Sequence, residues 1–171
     1  MPRRSLRAAQ TFDNDVVRAL LAHGALVDLP NASGVTPFMA AAGIGTRLGS
    51  NVLGPGPPVN VVELSLATME ILRAAGADVN ARITDTTSLT ARIARPNTLT
   101  NRQGQTALFY VAEIGRTPAV KYLLEHGAKV DVVDDMGKTP IDLAKGSGGG
   151  ANEAGFQDVV TLLKSAGATQ N

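Results

Sequence analysis

One short pattern of apolar positions occurs four times along the chain. Each copy has an apolar residue, a leucine three positions later, and a Gly-Ala pair four positions after that leucine. The apolar pairs are Val17 and Leu20, Met69 and Leu72, Val120 and Leu123, and Val160 and Leu163; their glycines are Gly24, Gly76, Gly127 and Gly167. Residues three apart share one face of an α-helix, and glycine readily adopts the left-handed conformation that ends one. The pattern therefore predicts four amphipathic helices, each ending at its glycine.

A second pattern predicts a turn and a shorter helix ahead of three of these helices. Gly-x-Thr begins at Gly34, Gly104 and Gly137, and Asn31, Asn101 and Asp134 stand three positions before those glycines. Asn and Asp close turns with a side-chain oxygen. Thr36 and Thr139 precede prolines, which favours a helix start in which the threonine hydroxyl accepts from a backbone N–H. Each unit is thus expected to contain a turn, an inner helix and an outer helix.

The stretch from Asn101 to Val133 shows the whole unit. Gly104 and Gly127 are 23 positions apart, and Gly127 and Gly137 are 10 apart, so the pattern repeats after 33 residues. With its N-x-x-G-x-T and L-L-x-x-G-A motifs, this stretch resembles the ankyrin-repeat family, whose period is 33 residues. The resemblance implies an all-α solenoid of stacked helix-turn-helix units with β-turn or hairpin fingers.

The spacing of the glycines predicts one domain, 1–171, made of a partial first unit and three full units with insertions. The units are expected at 3–31, at 32–82 with an insertion at 46–61, at 101–133 after an insertion at 83–100, and at 134–168 with an insertion at 146–152. Nothing before Arg4 supplies a turn, so the first unit is either an N-terminal cap or a truncated repeat. The family commonly has a histidine in its T-P-L-H motif. Met39, Phe109 and Asp142 replace it here, which predicts more apolar contacts between the first units and leaves the usual polar ladder in doubt.

Composition and charge remove several classes of function. The net charge is +1, so we expect neither nucleic acid nor a membrane as partner, and the absence of cysteine excludes disulfides and thiol chemistry. The N-terminus lacks the apolar core of a signal peptide, and no stretch approaches the ~18 apolar residues of a membrane span. We therefore expect a soluble chain, and the cytoplasm is favoured.

The sequence predicts no cofactor, no metal and no catalytic site. His23 and His126 occupy equivalent places near the ends of two different outer helices, where a histidine interacts favourably with the helix dipole. Gly43-Ile44-Gly45 lacks the preceding strand of a dinucleotide-binding turn, and the repeat itself explains Gly137 and Thr139. The carboxylates show no pairing by sequence. The chain is therefore not expected to be an enzyme.

The resemblance implies a non-catalytic scaffold that binds another protein through its finger tips and the concave face of its inner helices. The expected contact residues are Ser33, Val35, Arg102, Gln103, Gln105, Asp135, Met136 and Lys138 at the tips, and Glu113 and Arg116 at the end of an inner helix. Replacing Arg102 and Gln105 is expected to weaken binding while leaving thermal unfolding nearly unchanged.

The insertion at 83–100 adds Arg92 and Arg95 to the expected contacts. Apolar and polar residues alternate there, which weakly predicts a strand, and its arginines suit an acidic or phosphorylated partner segment. The alternative is that these are solvated charges on a loop. Two other functions stay open: a pocket for a small molecule or peptide under the long insertions, and a structural segment of a larger chain. We expect a monomer.

Overall fold

The computed structural model describes residues 2–44, 60–84, 102–146 and 153–168, and these form helices joined by turns. No strand occurs within these ranges. The helices are α1 (Pro2–Gln10), α2 (Asn14–Ala22), α3 (Pro37–Ala42), α4 (Val61–Ala74), α5 (Ala107–Glu113), α6 (Thr117–Glu125), α7 (Pro140–Gly146) and α8 (Glu153–Ser165). The predicted strand pattern within 83–100 lies outside the described residues.

The helices pack as consecutive pairs in two rows. The inner helices α1, α3, α5 and α7 contact one another in that order, and the outer helices α2, α4, α6 and α8 do the same. Each inner helix also contacts the outer helix that follows it. This all-α packing confirms the predicted fold class.

The outer helices end at the glycines that the sequence pattern marked. Gly24, Gly76, Gly127 and Gly167 have φ values of 79°, 95°, 81° and 94°. In each case the amide after the glycine donates to the carbonyl five positions earlier, at the leucine of the apolar pair. This bond satisfies a carbonyl that the helix end would otherwise leave unpaired.

The helix starts agree with the prediction at one threonine and differ at another. The hydroxyl of Thr36 accepts a hydrogen bond from the amide of Met39 at 3.3 Å, as expected for an N-cap. Thr139 does the opposite: its hydroxyl donates to Asp142 Oδ2 at 2.6 Å, and its amide donates to the same oxygen at 2.9 Å. The structure therefore differs from the prediction there, because the Asp142 carboxylate three positions later accepts from both the amide and the hydroxyl of Thr139.

Small residues allow the inner helices to approach closely. Ala41, Ala42, Val111 and Ala112 are fully buried between neighbouring helices. Met39 and Phe109, which replace the family's histidine, are also fully buried. The contacts between inner helices are therefore apolar at the positions of Met39 and Phe109, as the sequence predicted.

Polar contacts between units occur instead in the loops after the outer helices. Asp28 Oδ2 accepts from the amide of Asp78 at 3.0 Å. Asn80 Oδ1 accepts from the amide of Lys129 at 2.8 Å, while its Nδ2 donates to the Gly127 carbonyl at 3.0 Å. Asp28 and Asn80 both stand four positions after their loop glycine. A regular polar ladder is thus present, at a different place from the motif position.

Two side-chain hydrogen bonds join the outer helices. The Thr68 hydroxyl on α4 donates to Asn14 Oδ1 on α2 at 2.7 Å. The Tyr122 hydroxyl on α6 donates to Glu70 Oε2 on α4 at 2.7 Å, and Arg73 forms an ion pair with Glu70 at 2.6 Å. The first two junctions of the outer row, α2 with α4 and α4 with α6, therefore each have their own polar pair.

Candidate functional site

The turns that form the fingers are closed by side chains, as predicted. Asn31 Oδ1 accepts from the amides of Ser33 and Val35 at 2.9 and 3.0 Å. Asp134 Oδ1 accepts from the amides of Met136 and Lys138 at 3.0 and 2.9 Å. Asn101, the third residue of this kind, lies outside the described residues. These bonds fix the backbone of each finger, so its tip is a preorganised surface.

The third and fourth fingers, 102–106 and 134–139, are bonded to each other. The amide of Asp135 donates to the Gln103 carbonyl at 3.1 Å. Inside the stack, Gln105 Nε2 donates to Asp134 Oδ2 at 2.8 Å, and both residues are buried. Arg82 lies alongside: its Nε donates to the Gly104 carbonyl at 2.9 Å and its Nη2 donates to the Val133 carbonyl. The two fingers therefore present one continuous edge.

The expected contact residues divide into three groups by exposure. Asp135, Met136 and Lys138 are exposed; Arg102, Gln103, Glu113 and Arg116 are partly buried; Ser33, Val35 and Gln105 are buried. Arg92 and Arg95 lie outside the described residues. A buried side chain cannot meet a partner directly, so the side chains of Ser33, Val35 and Gln105 are not accessible for the contacts that the sequence predicted.

Stacking explains why equivalent finger positions differ in exposure. Val35, Gln105 and Lys138 each follow the glycine of their finger. Gln105 is covered because the next finger places Asp134 against it, whereas Lys138 belongs to the last described finger and stays exposed. The sequence does not show which finger a neighbouring finger covers, so the side chains of Val35, Gln105 and Lys138 were all expected to be accessible.

Arg102 is fixed across the inner face of α5. Its Nη1 lies 2.6 Å from Glu113 Oε2 and 3.2 Å from Gln105 Oε1. Its guanidinium carbon lies 5.5 Å from the centroid of the Tyr110 ring, within the range of a cation–π interaction. These contacts make both residues part of a bonded network within and between units, so the structure leads us to expect that replacing Arg102 and Gln105 would lower the melting temperature.

Tyr110 and Arg116 complete this inner face. Tyr110 was not anticipated, although it stands at the outward position of an inner helix whose neighbours Phe109 and Val111 are apolar. Burial raises the pKa of the Tyr110 phenol, and the nearby Arg116 and Arg102 oppose that rise. Burial also lowers the pKa of the Arg116 guanidinium. Within the described residues, Arg116 Nη1 is buried and has no hydrogen-bond acceptor.

The corresponding face of the second unit is closed. Ala40 and Ile44, which match Tyr110 and Ile114 in the repeat, are buried. Tyr110, Glu113 and Ile114 are only partly buried. At these positions the inner face is therefore accessible in the third unit and closed in the second. We use the name α5 surface for Arg102, Gln103, Tyr110, Glu113 and Arg116 together with the exposed tip residues Asp135, Met136 and Lys138.

The α5 surface combines cations, carboxylates, a phenol and one apolar side chain. The cations are Arg102, Arg116 and Lys138; the carboxylates are Glu113, which is paired with Arg102, and the exposed Asp135; the apolar side chain is Met136. The two histidines lie elsewhere, and the Nδ1 atoms of His23 and His126 each donate to a carbonyl of their own helix at 2.7 Å. Among the described residues, no group of three or more His, Asp or Glu side chains could hold a metal ion. No helix in the described ranges has the length and apolar character needed to cross a membrane.

The packing defines a repeat protein built from stacked helix pairs with finger-like turns, and comparison with known proteins specifies which kind. Residues 65–171 match the family model of ankyrin repeats, in three copies. The chain belongs to the ankyrin-repeat family. The match begins within α4, and the structure shows two inner helices and one outer helix of the same stack before it.

The chain is similar to parts of two longer proteins. A protein of Danio rerio that carries the name palmitoyltransferase ZDHHC13 is 31% identical over 144 residues, which is 83% of this chain and 17% of that protein. The ankyrin repeat protein YahD of Escherichia coli strain K12 is 45% identical over 49 residues, which is 29% of this chain and 21% of YahD. The chain thus spans about a fifth of each relative. Ankyrin-repeat domains are typically non-catalytic and generally bind other proteins.

Proposed function

We propose that this chain is a non-catalytic scaffold that binds another protein through the α5 surface. The observation that supports this most directly is Arg116. Its Nη1 is buried without an acceptor in the described part of the chain. A buried donor left unpaired destabilises a protein by about 1–3 kcal/mol, and by more when it carries charge. An acceptor supplied by a partner would remove that destabilisation, and the free energy recovered would favour binding.

The surroundings of Arg116 support a protein as the binder. Tyr110 lies close enough for its pKa to respond to Arg116, and tyrosine and arginine are the residue types enriched at the energetic centres of protein interfaces. Met136 adds an exposed apolar side chain at the adjoining tip. The fingers that carry these residues are held by hydrogen bonds, so little conformational entropy is lost on binding.

The insertion at 83–100 remains part of the proposal. Arg92 and Arg95 lie in sequence between Arg82 and Arg102. Arg102 belongs to the α5 surface, and Arg82 contacts the same finger at the Gly104 carbonyl. An acidic or phosphorylated segment of the partner would meet more cations if this insertion contributes.

The experiment compares partner capture by matched variants. The intact domain is used as bait in a lysate of its native host, and captured proteins are then measured for direct binding to the purified domain. Arg116→Ala is expected to lose the partner while keeping its melting temperature. Lys121→Ala on α6 is the control, because Lys121 is exposed on the outer row away from the α5 surface.

A third variant lacking residues 84–98 separates the two parts of the proposal. A partner lost by Arg116→Ala but kept by the deletion places binding on the α5 surface alone. A partner lost by the deletion and kept by Arg116→Ala places it on the insertion. Loss in the Lys121→Ala control as well, or equal binding by all variants, would refute the α5 surface as the binding site.

A further inference from the structure

Arg116 is the partly buried cation of the α5 surface that has no carboxylate beside it among the described residues. Arg102 does have one, since its Nη1 lies 2.6 Å from Glu113 Oε2. The pKa of Arg116 is lowered by burial and raised only by Tyr110. Arginine stays protonated in proteins, and a buried charge without a counter-charge destabilises the fold. The site is therefore suited to an anion supplied from outside the described chain.

Tyr110 lies beside Arg116 and offers a second donor. Among the charged groups that shift the pKa of the Tyr110 phenol, Arg116 acts most strongly, ahead of Arg102. The guanidinium carbon of Arg102 is itself only 5.5 Å from the centroid of the Tyr110 ring. Because charge interactions weaken with distance, Arg116 lies near the phenol oxygen. Burial raises the pKa of this phenol, so its hydroxyl keeps its proton at neutral pH and can donate.

The charges of the α5 surface leave room for one negative charge. Its three cations are Arg102, Arg116 and Lys138, and its two carboxylates are Glu113 and Asp135. One carboxylate added at Arg116 brings this balance to zero. A phosphate monoester carries about −1.5 to −2 charges, so it would leave an excess of negative charge close to Glu113. The surface therefore favours a single carboxylate over a phosphate.

The shape of a carboxylate also fits two neighbouring donors. Its two oxygens can accept from a guanidinium N–H and from a hydroxyl at the same time. A neutral carbonyl would accept from the Arg116 N–H but leave its charge uncompensated. Met136, 59% exposed at the tip of the fourth finger, offers an apolar contact to the residues that flank the carboxylate. These features describe a partner segment with one acidic residue and an apolar side chain near it.

We propose that the partner binds through the carboxylate of one Asp or Glu side chain, which accepts from Arg116 and from the Tyr110 hydroxyl while an apolar neighbour contacts Met136. This inference rests on the proposed function, because it names the group that the α5 surface recognises in its partner. It needs no contribution from the insertion at 83–100. The experiment distinguishes it from a phosphorylated partner and from a partner bound through backbone carbonyls.

A phage-displayed library of random linear peptides supplies the probe. Peptides are selected on the intact chain, and those that Arg116→Ala also binds are removed. The remaining peptides are expected to share one Asp or Glu with an apolar residue near it. One of them is then synthesised in three forms, with the acidic residue retained, replaced by its amide, or replaced by phosphoserine. Isothermal titration calorimetry measures the dissociation constant of each form.

The wild type is expected to bind the acidic form about 10- to 100-fold more tightly than the amide form, as for a hydrogen bond to a charged group. Arg116→Ala should bind the two forms about equally, since the carboxylate has lost its cation. Tyr110→Phe keeps the ring and should weaken binding of the acidic form by about 3- to 10-fold. The phosphoserine form should bind the wild type more weakly than the acidic form. Lys121→Ala, exposed on the outer row, is the control and should bind like the wild type.

Each other outcome overturns the proposal in a recognisable way. If no peptide prefers the wild type to Arg116→Ala, the α5 surface as binding site and this inference both fail. Selected peptides that share no acidic residue, or whose amide form binds as tightly, refute the carboxylate and leave the proposed function standing. A phosphoserine form that binds more tightly shows a phosphorylated partner instead. Circular dichroism melting establishes that each variant is folded, and Tyr110→Phe, which removes a single oxygen, tests the same site independently of Arg116→Ala.

Discussion

Replacing Gln105 with alanine tests the junction between the third and fourth units. Gln105 Nε2 donates to Asp134 Oδ2 at 2.8 Å, and both side chains are buried. In the variant, Asp134 would keep the two amide donors on its other oxygen but lose the donor on Oδ2. A hydrogen bond to a charged group contributes about 1.5–3 kcal/mol, and a buried carboxylate oxygen left without a donor lies at the upper end of that range.

The expected effect on thermal unfolding follows from that energy. A change of 1 kcal/mol shifts the melting temperature of a chain this size by about 2–4 °C, so Gln105→Ala should lower it by about 4–12 °C. Because a repeat protein is stabilised mainly by nearest-neighbour contacts, the loss should concentrate in the last unit. Hydrogen exchange should therefore accelerate in α7 and α8 and remain nearly unchanged in α1 and α2.

Gln103 provides a matched control in the same finger. Its backbone carbonyl, not its side chain, accepts from the amide of Asp135, so Gln103→Ala should melt close to the wild type. If Gln105→Ala and Gln103→Ala melt alike, the buried pair does not stabilise the junction and the reasoning fails. Faster exchange spread evenly over all helices would contradict the local part of the prediction.

Three further variants test other features. Arg116→Leu should raise the melting temperature by a few degrees, since it removes a buried unpaired donor, while abolishing partner binding; a lower melting temperature would contradict this. A hydrogen bond from Arg73 is the main cause that lowers the pKa of Glu70 from 4.5 to about 2, so the carboxylate contributes stability above pH 4.5 that is lost as the pH falls towards 2. Glu70→Gln should thus have a smaller free energy of unfolding than the wild type at pH 6 in low salt, and this difference should disappear as the pH falls from 4.5 to 2. Urea unfolding at several pH values measures it, and a difference that does not change with pH would contradict the prediction. Gly104→Ala places a Cβ 3.1 Å from the backbone amide of Asp135 in the next finger, besides closer contacts with the movable ends of the Asp135 and Arg82 side chains. It should therefore destabilise more than Gly137→Ala, where φ is also positive but nothing lies within 4 Å; equal melting temperatures would show that only φ matters.

The sequence predicted the features that depend on local chemistry. The ends of the outer helices at Gly24 and its equivalents, the turns closed by Asn31 and Asp134, and the small residues between inner helices all follow from short patterns that the repeat displays several times. Repetition made each pattern recognisable against chance, and it fixed which residues share a face.

The features that the sequence did not predict depend on neighbours from another unit. Val35 and Gln105 have the same turn position as the exposed Lys138, and only stacking separates them. Arg102 was expected to be free for a partner, but the structure pairs it with Glu113 and places it over Tyr110. Pairings of this kind depend on the distance between long side chains, which spacing along the chain does not give.

The side-chain pairs between the outer helices also guard against misfolding. A repeat chain can stack its units out of order, since every unit has a similar apolar stripe. If the third unit stacked on the first, Ala119 would take the place of Thr68 opposite Asn14, and the Asn14 side chain would lose its hydrogen bond. Tyr122 would in the same way meet Arg18 instead of Glu70 and lose its acceptor. Because the first two junctions of the outer row have different polar pairs, stacking the third unit on the first would satisfy neither of them, and this disfavours that alternative order.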